Sequence, residues 1–291
     1  MRGTGFALAF LLALAPAPTF AQQAAPAAEI ATPHVAIELS RSHDTYRYHF
    51  DNPSRFDTVD NVPHFFEQDD HVDATWLTGR LRYRWAGRTW ETEGGLAPSA
   101  TGTGNDYDTF FNPDGNVIVY GTTAVTSARS WLAGQTVELG PKGGFRGRVG
   151  YHYRRDEAEY HASYSVTTMT KPPSQTEFWN TGRETTVSQV HEIRFGVSRD
   201  MRPAPGWQAR LVADLSPATL AVLTTLLPDK YPGESIVFAA KAIALEASID
   251  AGCSQGRTSW HLVLRYSGAW NYSSSSAFGR QGLQAGFFVR F

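Results

Sequence analysis

The chain has 291 residues, with 26 Lys+Arg against 28 Asp+Glu for a formal net charge of −2, 19% charged and 13% aromatic residues, and one cysteine, Cys253. The aromatic content excludes a disordered chain, and the charge balance excludes a global basic field for nucleic acid. The lone cysteine excludes an intrachain disulfide framework and a four-thiolate zinc site, so stability must come from burial and backbone pairing.

Taken from the N-terminus, Arg2, the apolar run Phe6 to Leu14 and the small-residue ending Thr19-Phe20-Ala21 read as a secretory signal peptide over 1–21, cleaved after Ala21. Residues 22–33 are Ala/Pro-rich without apolar periodicity and are expected to form a periplasmic tether. Beyond them no stretch approaches the roughly 18 apolar residues of a spanning helix. The longest candidate, Ala218 to Leu227, is too short.

Residues 34–291 alternate period-two segments with tight turns and longer polar connections, the pattern of an outer-membrane barrel. Ten strands are predicted, roughly His34 to Arg47, Asp70 to Trp85, Arg88 to Ala97, Val125 to Gly140, Phe145 to Val166, Val187 to Met201, Trp207 to Leu215, Ser235 to Gly252, Thr258 to Tyr272 and Gln281 to Phe291. Tight connections (Ala86-Gly87, Pro141 to Gly144, Arg202 to Gly206, Cys253 to Arg257) alternate with mostly long ones. That alternation fits short periplasmic turns and long extracellular loops.

Parity separates the two faces. Leu283, Ala285, Phe287, Val289 and Phe291 share one side of the last strand, and Leu77, Leu81, Tyr83 and Trp85 one side of the second. The same count turns Glu38, Arg80, Arg82, Arg84, Glu91, Glu93, Glu138, Arg146, Arg148, His152, Arg154, Glu192, Arg194, Arg210, Asp214, His261 and Arg265 inward. The expected fold class is therefore all-β: a ten-stranded antiparallel transmembrane β-barrel with long extracellular loops and a charged lumen plugged by salt bridges. Lys241 breaks the pattern by sharing parity with Ile243 and Leu245, and snorkelling, an anionic lipid contact or a bulge each accounts for it. A soluble sandwich or lipocalin-like barrel is the alternative. The aromatic ending Phe287-Phe288-Val289-Arg290-Phe291, which looks like a barrel-assembly signal, argues against it.

Chemistry is expected in the outer loops and the mouth. Asn105-Asp106-Tyr107-Asp108 follows the third strand, and two carboxylates two residues apart in an extended segment share a face, so one proton can be shared or a water oriented. The same residues also suit a solvated loop or a weak cation site. The segment Pro228-Asp229-Lys230-Tyr231-Pro232-Gly233 follows Ala218 to Leu227, which reads equally as a short lid helix or as the tips of two strands.

The strand plan, Phe66-Glu67-Gln68-Asp69-Asp70 entering a strand that ends Arg80-Leu81-Arg82-Tyr83-Arg84-Trp85, and the Asp-Tyr-Asp unit together resemble the omptins, ten-stranded outer-membrane proteases of Gram-negative bacteria. The resemblance covers essentially the whole mature chain. It implies an aspartic-type endopeptidase that hydrolyses cationic peptides or proteins near basic residues, with water activated across the mouth. Asp106 and Asp108 match the family's Asp pair, and Asp229 aligns with the aspartate of its Asp-His pair. The family's Asp-Glu-His-Tyr reads Asp229-Lys230-Tyr231 here, so the histidine general base is missing, a loss that typically forfeits about 10² to 10⁴ in rate.

His161 and His64 are placed near the mouth, whereas His34, His152 and His261 belong to the periplasmic half and are expected to be structural. The resemblance implies no cofactor or metal, but outer-membrane lipid and lipopolysaccharide as partners, with lipopolysaccharide as an accessory for activity and Arg129 and Arg155 as outer-wall contacts. Nucleic acid is not an expected partner. A barrel that lost proteolysis and serves as an adhesin, a lipid or polysaccharide binder or a structural protein is the competing reading. A lipid A-modifying acyl hydrolase, with His191 near Ser188, is the third.

Overall fold

The computed structural model describes the backbone of residues 33–51, 64–110, 117–142, 144–168, 176–226, 228, 232–233, 235–255, 258–271 and 276–291. Within these, side chains are described outside 50–51, 64–66, 106–110, 117–127, 141–142, 160–168, 176–182, 236, 255 and 276–277. The predicted signal peptide, and the tether up to residue 32, lie outside the described residues.

Eleven segments follow one another: β1 (His34–Asp51), β2 (His64–Trp85), β3 (Arg88–Ala97), β4 (Ala100–Phe110), β5 (Val117–Lys142), β6 (Phe145–Thr168), β7 (Thr176–Met201), β8 (Trp207–Leu226), β9 (Ser235–Gln255), β10 (Thr258–Asn271) and β11 (Ser276–Arg290). Apart from β3 and β4, consecutive segments pair antiparallel, and β1 pairs with both β2 and β11, so the sheet closes. β3 and β4 both lie between β2 and β5. They are two halves of one stave, interrupted around Pro98, which has no N–H to give to a ladder. The result is a closed ten-stranded antiparallel β-barrel.

The tight turns fall where the sequence puts them. Ala86 and Gly87 both have positive φ, 51° and 75°, the conformation a two-residue hairpin loop requires. At the other end the strands run further than predicted. β2 begins six residues earlier, β4 carries the third stave on to Phe110, and β8 continues through Ala218 to Leu226. The apolar stretch after Leu215 is thus strand, with register shifts between Ser216 and Thr219 on its β9 side.

Burial alternates residue by residue, inside out relative to a soluble barrel. On β1, Glu38 is 1% exposed and Leu39 59%. Across the barrel Leu77, Leu81, Ile193, Phe195, Leu215, Leu262, Leu264, Leu283 and Phe287 are exposed. A continuous apolar exterior of this kind is stable in lipid and not in water. Trp85 packs on Trp90 with ring centroids 5.6 Å apart, and Trp131 on Tyr153 at 4.7 Å, outward aromatics that suit headgroup levels.

Lys241 is exposed on the outer wall, and β9 continues regularly through it, paired with Leu220. No bulge accounts for it. Its ladder rung continues from Leu220 to His191 and Tyr153, residues with the polar and aromatic character of an interface, where a lysine stem lies along the wall and the ammonium reaches headgroups. Lys241→Leu is accordingly expected to change unfolding free energy in lipid vesicles by less than about 1 kcal/mol, against the roughly 2–4 kcal/mol cost of a lysine at the bilayer midplane. A gain of 2 kcal/mol or more in a urea titration would move the residue into the hydrocarbon.

Ion pairs cross the interior from wall to wall. Glu38 on β1 pairs with Arg80 on β2, and Arg80 with Glu93 on β3 at 3.0 Å. Arg265 on β10 reaches Glu93 at 3.6 Å and Glu246 on β9 at 3.5 Å. Arg194 on β7 closes on Glu246 at 2.8 Å. Deeper toward the tight turns, the buried Glu138 accepts from Arg82 and Arg210, from Arg148 at 3.5 Å and from the Ser198 hydroxyl at 3.2 Å. Two apolar clusters lie toward the other end, one including Tyr46, Tyr48, Val190, Leu223, Ala242 and Phe278, the other around Trp76, Ala97 and Leu132.

Candidate functional site

The end opposite the tight turns holds Asp106 and Asp108, two of the three sequence-predicted catalytic residues. Asp106 and Asp108 lie on β4 and not in a loop. That is a correction to the sequence reading, and its cause is the ladder: β4 pairs with β2 on one side and β5 on the other, so Asp106 stands level with Gln68 and Gly121, and Asp108 with Phe66 and Val119. The side chains of Asp106 and Asp108, and Asp229 altogether, lie outside the described residues, as do the side chains of His64 and His161.

Beneath that level a polar floor is described in detail. Gln68 and Asp70 are both buried on β2, and Gln68 donates from Nε2 to Asp70 Oδ2 at 2.9 Å. Asp44 on β1 is the hub. It accepts from Arg280 on β11 at 2.9 Å, from the Ser42 hydroxyl at 2.9 Å and from Arg154 on β6 at 3.3 Å. Arg154 also donates to Tyr46 Oη at 2.7 Å and to Asp156 at 2.9 Å, and its guanidinium lies 4.8 Å from the centre of the Trp76 ring. The Trp76 indole donates to Ser42 at 3.1 Å. β1 and β6 stand on opposite sides of the ring of strands, so the Arg154 contacts reach across the barrel.

The floor mixes carboxylates with guanidiniums. Sequence parity marks Asp44 and Arg154 as inward, but does not show that they meet, because the partners are separated by some hundred residues of chain. The facing wall is mostly apolar. On β8 and β9 the buried positions toward the mouth are Ala221, Leu223, Ala240 and Ala242, with Thr225 beyond them, 3.4 Å from Thr186 on β7. Among the described residues no imidazole stands there.

The other described histidines are elsewhere. His43 bonds Asp73 at 2.8 Å and His71 bonds Thr45 at 3.1 Å on the exposed face of β1 and β2. His152 is 3.2 Å from Arg194 inside the turn-end half. His191 bonds the Tyr151 hydroxyl at 2.7 Å on the outer wall, whereas Ser188, three residues away, is buried on the opposite face. The His191–Ser188 pair considered for an acyl hydrolase is therefore not formed, since an odd spacing on a strand separates the two faces. Among the described residues no group of three or more His, Cys, Asp or Glu has the geometry to hold a metal ion.

On the exterior, Arg129 is exposed and donates to Glu157 at 2.6 Å, and Arg155 donates to the same carboxylate at 3.3 Å. This pair of guanidiniums sharing one carboxylate sits next to the Trp131–Tyr153 contact in the β5–β6 ladder.

No family model matches the sequence, and no curated protein sequence matches it. Solved structures do match. The crystal structure of the outer membrane protease OmpT from Escherichia coli aligns with TM-score 0.66 and 10% identity, over 89% of this chain and 96% of that one. The translocator domain of the autotransporter NalP from Neisseria meningitidis aligns with TM-score 0.37 and 14% identity over 88% and 87%, and Ail of Yersinia pestis with TM-score 0.24 and 13% identity over 89% and 97%. At these identities the likeness concerns the fold: this chain is built on the ten-stranded barrel plan that OmpT also has.

Proposed function

We propose that the chain is an omptin-like outer-membrane endopeptidase that hydrolyses cationic peptides near basic residues at the end of the barrel opposite the tight turns. That end is taken to face the cell exterior, after removal of a signal peptide over 1–21. The observation that carries the reading is the path of β4. Alternate residues of a regular strand share a face, so positions 106 and 108 fall on one side of the wall, 106 level with the buried Gln68 and 108 with Phe66, in a barrel of the OmpT plan. Two like charges held at one site favour sharing a proton, which leaves one carboxylate to accept a proton from water while the other orients it. Asp229 is assigned to the facing loop, where it would polarise the same water. The missing histidine lowers the expected rate and does not remove the acid pair. The ion pairs beneath close the barrel to through-flow and give the mouth a rigid base.

Outside, the Arg129–Glu157–Arg155 group is assigned to lipopolysaccharide. Two guanidiniums sharing one carboxylate leave a net positive charge with free N–H donors for phosphate oxygens, beside aromatic rings that suit the headgroup level.

Asp106→Ala is expected to lower the rate of hydrolysis of a peptide with a dibasic centre by about 10² to 10⁴, with Asp108→Ala doing the same. Cleavage retained in both variants would refute the assignment. The second reading, a barrel of this plan that binds or adheres without hydrolysis, draws on the mostly apolar facing wall at Leu223, Ala240 and Ala242.

A further inference from the structure

The turn end of the barrel holds a second arrangement of reactive groups, far along the staves from Asp106. His261 on β10 is 2% exposed, and its two ring nitrogens are both engaged. Nδ1 stands 3.0 Å from Asp250 Oδ1 on β9, and Nε2 stands 3.0 Å from Ser259 Oγ. A carboxylate only accepts, so Nδ1 carries the proton and Nε2 is left to accept from the serine hydroxyl. The ring is held in that orientation by stacking on Phe288, with centroids 4.5 Å apart and planes 11° from parallel. Serine, histidine and aspartate are thus connected in the order, and at the distances, of a nucleophile, its base and the group that orients the base.

The surroundings of Ser259 fit the same chemistry. Its ladder neighbours are Ser254 on β9 and Arg290 on β11. Gln208 bridges these two, donating to Ser254 at 2.8 Å and accepting from Arg290 at 3.4 Å. Arg290 thereby supplies a fixed guanidinium on the rung of Ser259, where negative charge develops when a hydroxyl adds to a carbonyl. Ser259 itself is 6% exposed, and the partly buried Ser254, Gln208 and Arg290 separate it from the turn end, so a reagent reaches it only past these side chains. A cavity of about 70 Å³ inside the barrel is lined by Asp250, Phe288 and Arg290, on the lumen side of the site, and Ser259 and His261 are not part of its lining.

We propose that Ser259, His261 and Asp250 form a nucleophilic site for small acyl esters entering from the turn end of the barrel. Ser259 Oγ attacks the carbonyl carbon while its proton passes to His261 Nε2, and Asp250 holds the resulting imidazolium through Nδ1–H. The C–O bond to the alcohol breaks and the alcohol leaves with the proton from Nε2, leaving an acyl-serine. Water, deprotonated by the same nitrogen, then releases the carboxylic acid and restores the serine.

The test is labelling of the refolded full-length barrel with diisopropyl fluorophosphate, read by peptide mass spectrometry, with p-nitrophenyl acetate hydrolysis as the second readout. The expected result is one adduct per chain on Ser259 and none on Ser254. Ser259→Ala abolishes both signals, and Asp250→Asn, which keeps the shape but lets Nδ1 lose its proton to the wrong tautomer, slows both by about 10² or more. Folding of each variant is checked by its heat-dependent shift on electrophoresis. No adduct on Ser259 in a folded barrel, or labelling at an unchanged rate in Asp250→Asn, would mean that the three side chains only satisfy one another. Peptide cleavage that depends on Asp106 is read separately, so either site can fail alone.

Discussion

Glu138→Ala is expected to be the most destabilising single substitution in the barrel interior, at about 3–5 kcal/mol. Glu138 is 3% exposed and receives hydrogen bonds from Arg82, Arg210, Arg148 and Ser198, contributed by four different strands. Removing it does not simply subtract one pair. Arg148 keeps Asp214 at 3.0 Å, and Arg210 keeps Glu91 at 3.3 Å. Among the described residues Arg82 keeps only a distant contact with Asp200 at 3.8 Å, and its Nε has no partner there. An uncompensated guanidinium is thus left in a buried site, and that cost exceeds the net worth of an intact pair. Glu138→Gln retains an acceptor for one donor and is expected to lose less. Urea titration in lipid vesicles, followed by tryptophan fluorescence, measures both. A loss under 1 kcal/mol for Glu138→Ala would show that water replaces the carboxylate there.

Gly252→Ala is expected to cost about 3 kcal/mol by overpacking, at the upper end for an added methyl group. A Cβ at Gly252 would stand 1.8 Å from the Trp260 carbonyl oxygen and 2.6 Å from the His261 Cα. Both obstacles are backbone of the neighbouring strand, so no side-chain rotation relieves them. β9 and β10 must separate, and because Gly252 pairs with His261, the His261 contacts with Asp250 and Ser259 should be lost with the ladder. Gly140→Ala is the control, since a Cβ there meets nothing within 4 Å, and it is expected to be neutral within about 0.5 kcal/mol. The heat-modifiability midpoint of each refolded variant checks the pair, and equal midpoints would contradict the close approach.

Strand parity made most of the barrel legible, because lipid outside and packed charge inside force a two-residue period that survives without any relative for comparison. Leu39 outward beside Glu38 inward is readable from spacing alone, and so are the turns at Ala86-Gly87 and Arg202 to Gly206. Of the mouth-end extensions, the β4 segment reads as a loop, and Ala218 to Leu227 reads equally as a lid helix or as strand tips, of which the structure shows strand to Leu226. Thr101 to Phe110 and Ala218 to Leu226 lie beyond any apolar belt requirement, are rich in small or polar residues or uniformly apolar, and join the sheet only because β2, β5 and β9 offer them partners. That is a tertiary effect on sequences without a strand signature of their own. Long-range pairings were equally hidden. Asp44 with Arg154 and Glu138 with Arg210 are separated by 110 and 72 residues. His261 was expected to be structural, and the signal that it also meets Ser259 was present as an i, i+2 spacing on one strand, but Asp250 joins through the β9–β10 ladder, which spacing does not reveal.

The central claim is hydrolysis at the Asp106 end of the barrel, and its most direct measurement is cleavage of a fluorogenic peptide with a dibasic centre by the full chain refolded in detergent, with and without lipopolysaccharide. The account predicts cleavage next to the basic pair, lost in Asp106→Ala and retained in Ser259→Ala. A barrel that is folded by its electrophoretic shift and leaves the peptide intact with lipopolysaccharide present would contradict it and favour a binding or structural role.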